Sequence, residues 1–259
     1  MINGLRIGKL VGVGMINGMQ LDGYAQVKRI RTGISTLDDL LYGGLPEGSQ
    51  NVIMGQPGTG KSILAFHIAY ANAKQGVPCT VVLIDQRRED FIKNVVSAFP
   101  HLEDLQSLID KNMINISENP AYDKFTTKEE MMTFIASIIK SVQSNNSKIV
   151  VIDELSILRA LLADDREFTR MMNYITENLH LIDVTSIMTI ELPSSGTRTK
   201  IPGLFEESMF DGVIRLANLI DGDETEHVCA IVRMRFSKFK STSNAMKITS
   251  NGVEMSPLK

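Results

Sequence analysis

Eight consecutive residues, Gly55-Gln56-Pro57-Gly58-Thr59-Gly60-Lys61-Ser62, hold the plainest chemistry in this chain. Their spacing fits G-x-x-x-x-G-K-[ST]. Each fixed type has a physical reason. Gly55 and Gly60 allow a tight backbone path, and Gly58 helps it. Successive N–H groups then turn inward as an anion nest. A helix opening near Lys61 adds the positive end of its dipole. Lys61 brings a positive charge to the β- and γ-phosphates of a nucleotide, and the Ser62 hydroxyl is a ligand for Mg²⁺. The expected ligand is ATP with Mg²⁺.

A metal held this way needs an acid on a neighbouring strand. The apolar run IVVID ends on Asp153, which fits that role, and Glu154 follows it directly. Two plainer readings compete. Asp153 could cap the next helix, and Glu154 could sit in that helix's first turn, where acids are favoured.

The surrounding pattern supplies the elements that would hold these groups. NVIM (51–54) reads as a strand leading into the loop, and an amphipathic helix spans about Lys61 to Lys74. TVVLID (80–85), KIVVID (148–153) and VTSIMTI (184–190) read as further strands. STLDDLL (35–41) reads as a short helix with Ser35 as N-cap and Asp38 at the capping-box position, ended by Gly43-Gly44. NISENPAYDKFTT (115–127) reads as a surface loop. Thr126 with Glu129, or Thr127 with Glu130, then opens a helix whose apolar face holds Met132, Ile135, Ile138, Ile139 and Val142. Phe168, Met171, Met172, Ile175 and Leu179 mark the face of another. Late runs at 212–220 and 227–236 flank DGDET, and AMKIT and VEMS flank Asn251-Gly252, a type I′ hairpin signal. The pattern predicts an α/β fold: a mostly parallel central sheet flanked by helices, with a C-terminal antiparallel β extension.

The 259 residues suit one large domain at 29–259, preceded by a glycine-rich extension at 1–28 that echoes itself (MINGL, MINGM) and could pair as a loose hairpin. Hydrophobic residues make up 43% and charged residues 22%, enough for a full core. The net charge of −3 gives no electrostatic sign of a general nucleic-acid binder. Cys79 and Cys229 lie in apolar runs and read as small core residues of a reducing compartment, and the four histidines show no metal-ligand spacing. No apolar run approaches the roughly 18 residues of a membrane span, and no signal-peptide pattern opens the chain. A cytoplasmic location is expected.

Residues 29–62, RIRTGISTLDDLLYGGLPEGSQNVIMGQPGTGKS, resemble the start of KaiC-like and RadA-like ATPases of the RecA superfamily. GLFEESMFDGVIRL (203–216), IVRMRF (231–236) and KITSNGVEMSP (247–257) resemble later segments of the same family, so the resemblance covers about residues 29–257. It implies a RecA-type fold and ATP hydrolysis in a homo-oligomeric ring, commonly a hexamer. It also implies that the cations of the R-M-R strand, Arg233 and Arg235, reach across a subunit boundary to the γ-phosphate. The bland alternative is a solvated strand face. The family's second strand ends in two adjacent glutamates, one of them the base that activates water. Asp85 and Gln86 stand there in this chain. Glutamine accepts no proton, and the shorter aspartate must still lie within hydrogen-bond reach. Slow turnover is therefore expected, with Asp85 and Glu154 as candidate bases and Glu191 as a weaker candidate γ-phosphate sensor.

Three functions fit these residues: an oligomeric regulatory ATPase, a nucleotide-gated scaffold such as a flagellar-motor relative, and a RadA-like DNA recombination accessory. The last is the least favoured. Its expected channel loop, PSSGTRTKIPG (193–203), offers Arg198 and Lys200 and no stacking aromatic.

Overall fold

Apolar residues that alternate between two buried faces build the centre of the molecule. The computed structural model describes residues 13–16, 19–22, 27–118, 127–160, 162, 164–192, 205–221 and 224–258. In chain order, β1 (Val13–Ile16) pairs with β2 (Met19–Asp22), and β3 (Arg29–Ile30) precedes α1 (Ser35–Leu40) and β4 (Leu45–Pro46). Next come β5 (Gln50–Gly55), α2 (Lys61–Ala73), β6 (Cys79–Leu83), α3 (Arg88–Ala98), α4 (Leu105–Asp110) and β7 (Ile114–Glu118). The second half holds α5 (Lys128–Ser144), β8 (Ile149–Asp153), α6 (Ser156–Ala160), α7 (Asp165–Leu181) and β9 (Thr185–Glu191). The chain then runs through β10 (Gly212–Asp221), β11 (Glu224–Met234), β12 (Asn244–Thr249) and β13 (Gly252–Pro257).

Among the described residues, nine strands form one sheet in the order β13-β12-β11-β10-β5-β9-β8-β6-β7. The six strands from β10 to β7 are parallel, and β10 to β13 run antiparallel to one another. The expected parallel sheet with an antiparallel extension is what the chain forms. In β5, Ile53 faces a core shared with α2 and α3, while Val52 and Met54 face a second core under α5 and α7. Val81 and Leu83 against Val82 and Ile84, and Val151 against Val150 and Ile152, repeat that split. Strands covered on both faces read as unbroken apolar runs, which is why the sequence shows them so clearly.

Three local expectations are corrected. Helix α1 starts at Ser35, but its N-cap is Ile34 and no side chain caps it. Asp38 instead accepts from the backbone N–H and hydroxyl of Thr32, at 2.7 and 2.8 Å. A carboxylate tied to the incoming strand is then no partner for the cap. The stretch at 115–118 is not loop: Ile114 and Ile116 are buried in edge strand β7. Its alternate residues are polar, with Asn115 donating to Ser141 of α5 at 3.1 Å, and they break the apolar run. The last hairpin is not type I′. Thr249 pairs with Gly252, so Ser250 and Asn251 are the loop, and the left-handed φ falls on Gly252 alone, at +106°. A type I′ turn would need positive φ at both central residues. The capping box at Thr127–Glu130 is present, and Phe168, Met171, Met172, Ile175 and Leu179 are all buried. Thr126, most of the loop at 119–126, the centre of DGDET and the stretch 193–204 lie outside the described residues.

Candidate functional site

The loop between β5 and α2 turns where its glycines allow. Gly55 ends β5. Pro57 and Gly58 form the exposed tip, and Gly60 caps α2 with a left-handed φ of +87°. A Cβ at Gly60 would lie 2.7 Å from Cδ1 of Ile248 and 3.1 Å from Cε of Met246. Hairpin β12–β13 therefore packs directly on the loop, and a side chain at position 60 would push against these two side-chain ends. Thr59 is buried, and its hydroxyl donates to the Gln56 carbonyl at 2.8 Å.

Lys61 is 6% exposed. Its Nζ donates to the same Gln56 carbonyl at 3.1 Å and lies 3.8 Å from a carboxylate oxygen of Glu191. An ammonium has three donors. One carbonyl and one distant, partly exposed carboxylate leave this near-buried cation able to take a further anion. Burying an ion without full compensation is costly, which favours a site made for a charged ligand.

Asp153 ends β8 and is 2% exposed. The hydroxyl of Thr189 donates to it at 2.7 Å, and the Ser62 hydroxyl lies near enough to act on its charge. Burial pushes its carboxyl up from the usual range. The two hydroxyls and Lys61 oppose that shift, and nearby Asp85 adds to it. A carboxylate and a hydroxyl on facing elements are hard oxygen donors, the set Mg²⁺ takes. Ser62 and Asp153 thus fit the expected metal as residues, and Lys61 fits the expected phosphates.

Glu154 follows with φ +66°, an uncommon conformation for a side-chain-bearing residue. Its N–H donates to Thr189 Oγ1 at 2.7 Å, and its Oε1 is buried without a hydrogen-bond partner. Burial raises its carboxyl, against the Ser156 hydroxyl and Lys61. Asp85 lies just past the end of β6. Burial raises it too, and its Oδ1 also lacks a partner. Both candidate bases therefore lie close to Asp153, and burial raises each carboxyl. Gln86 is half-buried beside Asp85. Thr189 was not singled out from sequence. Its hydroxyl donates to Asp153 and accepts from the Glu154 N–H, so it sets the Asp-Glu pair. It is one of three polar residues in the run VTSIMTI, with Thr185 and Ser186, and the register that brings it beside Asp153 is not written in the local sequence.

Arg233 and Arg235 do not join this cluster within the chain. Arg233 stands near the end of β11, and Arg235 falls in the turn after it, not in the strand. They donate to the carbonyls of Glu207 and Ser208, and Arg235 lies 3.8 Å from Asp211. Met234 pairs with Gly212, and Gly212 with Asn51, the start of β5. The phosphate loop leaves the other end of β5, four residues and about 13 Å along the strand.

The family model described as "ATPase: KaiC" matches residues 30–259. This chain belongs to the KaiC ATPase family. A circadian clock oscillator protein KaiC from Picosynechococcus sp. is 28% identical over 237 residues, which cover 90% of this chain and 45% of that protein. The chain spans about half the length of the KaiC clock relatives it matches. UPF0273 protein MK0039 from Methanopyrus kandleri is nearer in size: 27% identical, with 90% of this chain and 94% of that one covered. The crystal structure of KaiC-like protein PH0186 from Pyrococcus horikoshii OT3 superposes with a TM-score of 0.76 at 27% identity, over 90% of this chain and 100% of that one. The KaiC-family match fits a RecA-type fold carrying a nucleotide loop. No helix among the described residues is long and apolar enough to cross a membrane.

Proposed function

We propose that this KaiC-family domain, residues 29–259, binds ATP–Mg²⁺ at Gly55–Ser62, turns it over slowly, and acts in the cytoplasm as an oligomeric regulatory module, a hexamer of its own copies. One observation carries the reading. Lys61 and Ser62 at the start of α2 meet the distant Asp153 at the end of β8, beside two half-buried acids that each keep an unpartnered oxygen. The metal, when bound, neutralises phosphate charge. Lys61 takes the β- and γ-phosphates, exchanging its pairing with Glu191 for a stronger one. Ser62 and Asp153 supply hard oxygens. Thr189 orients Asp153, and either Asp85 or Glu154 accepts the proton of the attacking water. Arg233 and Arg235 complete the site of a neighbouring copy, since their own loop lies at the far end of the strand. A second reading, a nucleotide-gated scaffold without turnover, is favoured by Gln86, which accepts no proton.

The deciding experiment is equilibrium binding of a fluorescent ATP analogue. Lys61→Ala should lose binding by at least a hundredfold while keeping its far-UV circular dichroism and cooperative melting. Unchanged affinity would refute the site.

A further inference from the structure

A third arginine stands beside Arg233 and Arg235. Arg215 lies on β10 two residues after Val213, and Val213 is the cross-strand partner of Arg233. Alternate strand residues share a face, so Arg215 and Arg233 leave the same side of the ribbon. That side also holds the 3₁₀ turn Phe205–Met209, since Met209 and Val213 share the core under α5 and α7. The Arg215 guanidinium donates to the Glu207 carboxylate, and the two side chains are 27% and 15% exposed. The last carbonyls of a helical turn have no partner inside it. Here the Glu207 carbonyl accepts from Arg233 at 2.7 Å, and the Ser208 carbonyl accepts from Arg235. The chain beyond the turn is fixed. Phe210 is fully buried, and the Asp211 carboxylate accepts the Gln50 N–H at 3.0 Å.

A largely buried ion pair is a poor source of stability, because desolvation offsets most of its attraction. What it sets well is direction, through a charge-assisted hydrogen bond. Glu207 carries both halves of a bracket: its side chain meets Arg215, and its carbonyl meets Arg233. A guanidinium has five N–H donors. One carbonyl uses one of them, so Arg233 and Arg235 can be held and still bind an anion. Among the described residues, the ion pairs of these three arginines use two carboxylates, Glu207 and Asp211. The cluster therefore keeps positive charge for a phosphate.

We infer that Glu207 is a positioning residue for phosphoryl transfer: pinned by Arg215, it holds the turn whose carbonyls aim Arg233 and Arg235 at the nucleotide of a neighbouring copy. It touches no substrate and acts through the arginines. This role rests on the trans reading of Arg233 and Arg235 above.

Steady-state turnover in pure and mixed assemblies tests it. Glu207→Gln should lower kcat by about tenfold or more, part of the 10³–10⁵ that such an arginine is worth in other enzymes. Its KM, its affinity for the ATP analogue and its sedimentation should match the parent, because its own phosphate loop is intact. Mixing gives the readout that a general weakening of the fold would not move. Glu207→Gln chains mixed with Lys61→Ala chains should regain turnover, since the second chain lends a well-aimed arginine to the first chain's nucleotide. Mixed with Arg235→Ala chains they should stay slow. The double variant Glu207→Met with Arg215→Met guards against poor folding: an apolar pair should melt at or above the parent temperature and still turn over slowly. Parent-like kcat in either variant would overturn the role. So would a failure to recover with Lys61→Ala where Arg235→Ala chains do recover, and that result leaves the trans arginine standing. If Arg235→Ala chains also fail there, the trans reading falls and the role of Glu207 falls with it.

Discussion

In the proposed function, two acids and one amide set how fast the site can work. Asp85 and Glu154 are both pushed up by burial, and each keeps an unpartnered carboxylate oxygen. A general base must reach its water through one hydrogen bond. Gln86 sits at the neighbouring position and cannot serve. Gln86→Glu is therefore expected to raise steady-state ATP turnover at least tenfold, read by phosphate release. Glu154→Gln should abolish turnover if Glu154 is the base, and Asp85→Asn if Asp85 is. The phosphate loop and Asp153 were legible in the sequence because their spacing and flanking strand are local. Thr189 was not. It joins Asp153 and the Glu154 N–H across a strand pair, and only the sheet order sets such a neighbour.

Hairpin β12–β13 and the phosphate loop constrain each other through Gly60. Its φ of +87° disfavours a side chain, and a methyl group there would have to displace the Ile248 side-chain end 2.7 Å away. Gly58 has a similar φ, +73°, but open space around it. The left-handed conformation alone costs about 1–2 kcal/mol with a Cβ. Gly58→Ala should lose about that much in urea unfolding. Gly60→Ala must also displace the side-chain ends of Ile248 and Met246, so it should lose more than Gly58→Ala and weaken analogue binding. Equal losses in the two would mean that the hairpin does not bear on the loop. At this scale the sequence was readable wherever period and burial agreed, as in β5, β8 and α7. It misled at β7, where Asn115 and Ser117 interrupt the apolar pattern, and at the last turn, where the pairing shifted by one residue.

The largest question is how copies cooperate. Arg233 and Arg235 stand at the start of β10, the wrong end of the sheet for their own loop. A cation supplied across a boundary is worth on the order of 10³–10⁵ in rate in other phosphoryl-transfer enzymes. Lys61→Ala chains and Arg235→Ala chains should each be inactive alone. Mixed assemblies should regain turnover, because one chain lends its arginine to the other's nucleotide. No recovery in assemblies shown by mass to be mixed would count against a trans arginine. The sheet order also sets a clock for synthesis. β5 lies between β9 and β10, whose residues follow it by more than a hundred positions. At roughly 5–20 residues per second, the central strand and its phosphate loop leave the ribosome tens of seconds or less before Gly212, with both hydrogen-bonding edges bare. A nascent chain is then most open to wrong pairing around its most important strand, and nucleotide cannot select the native state until nearly all of the domain has been made.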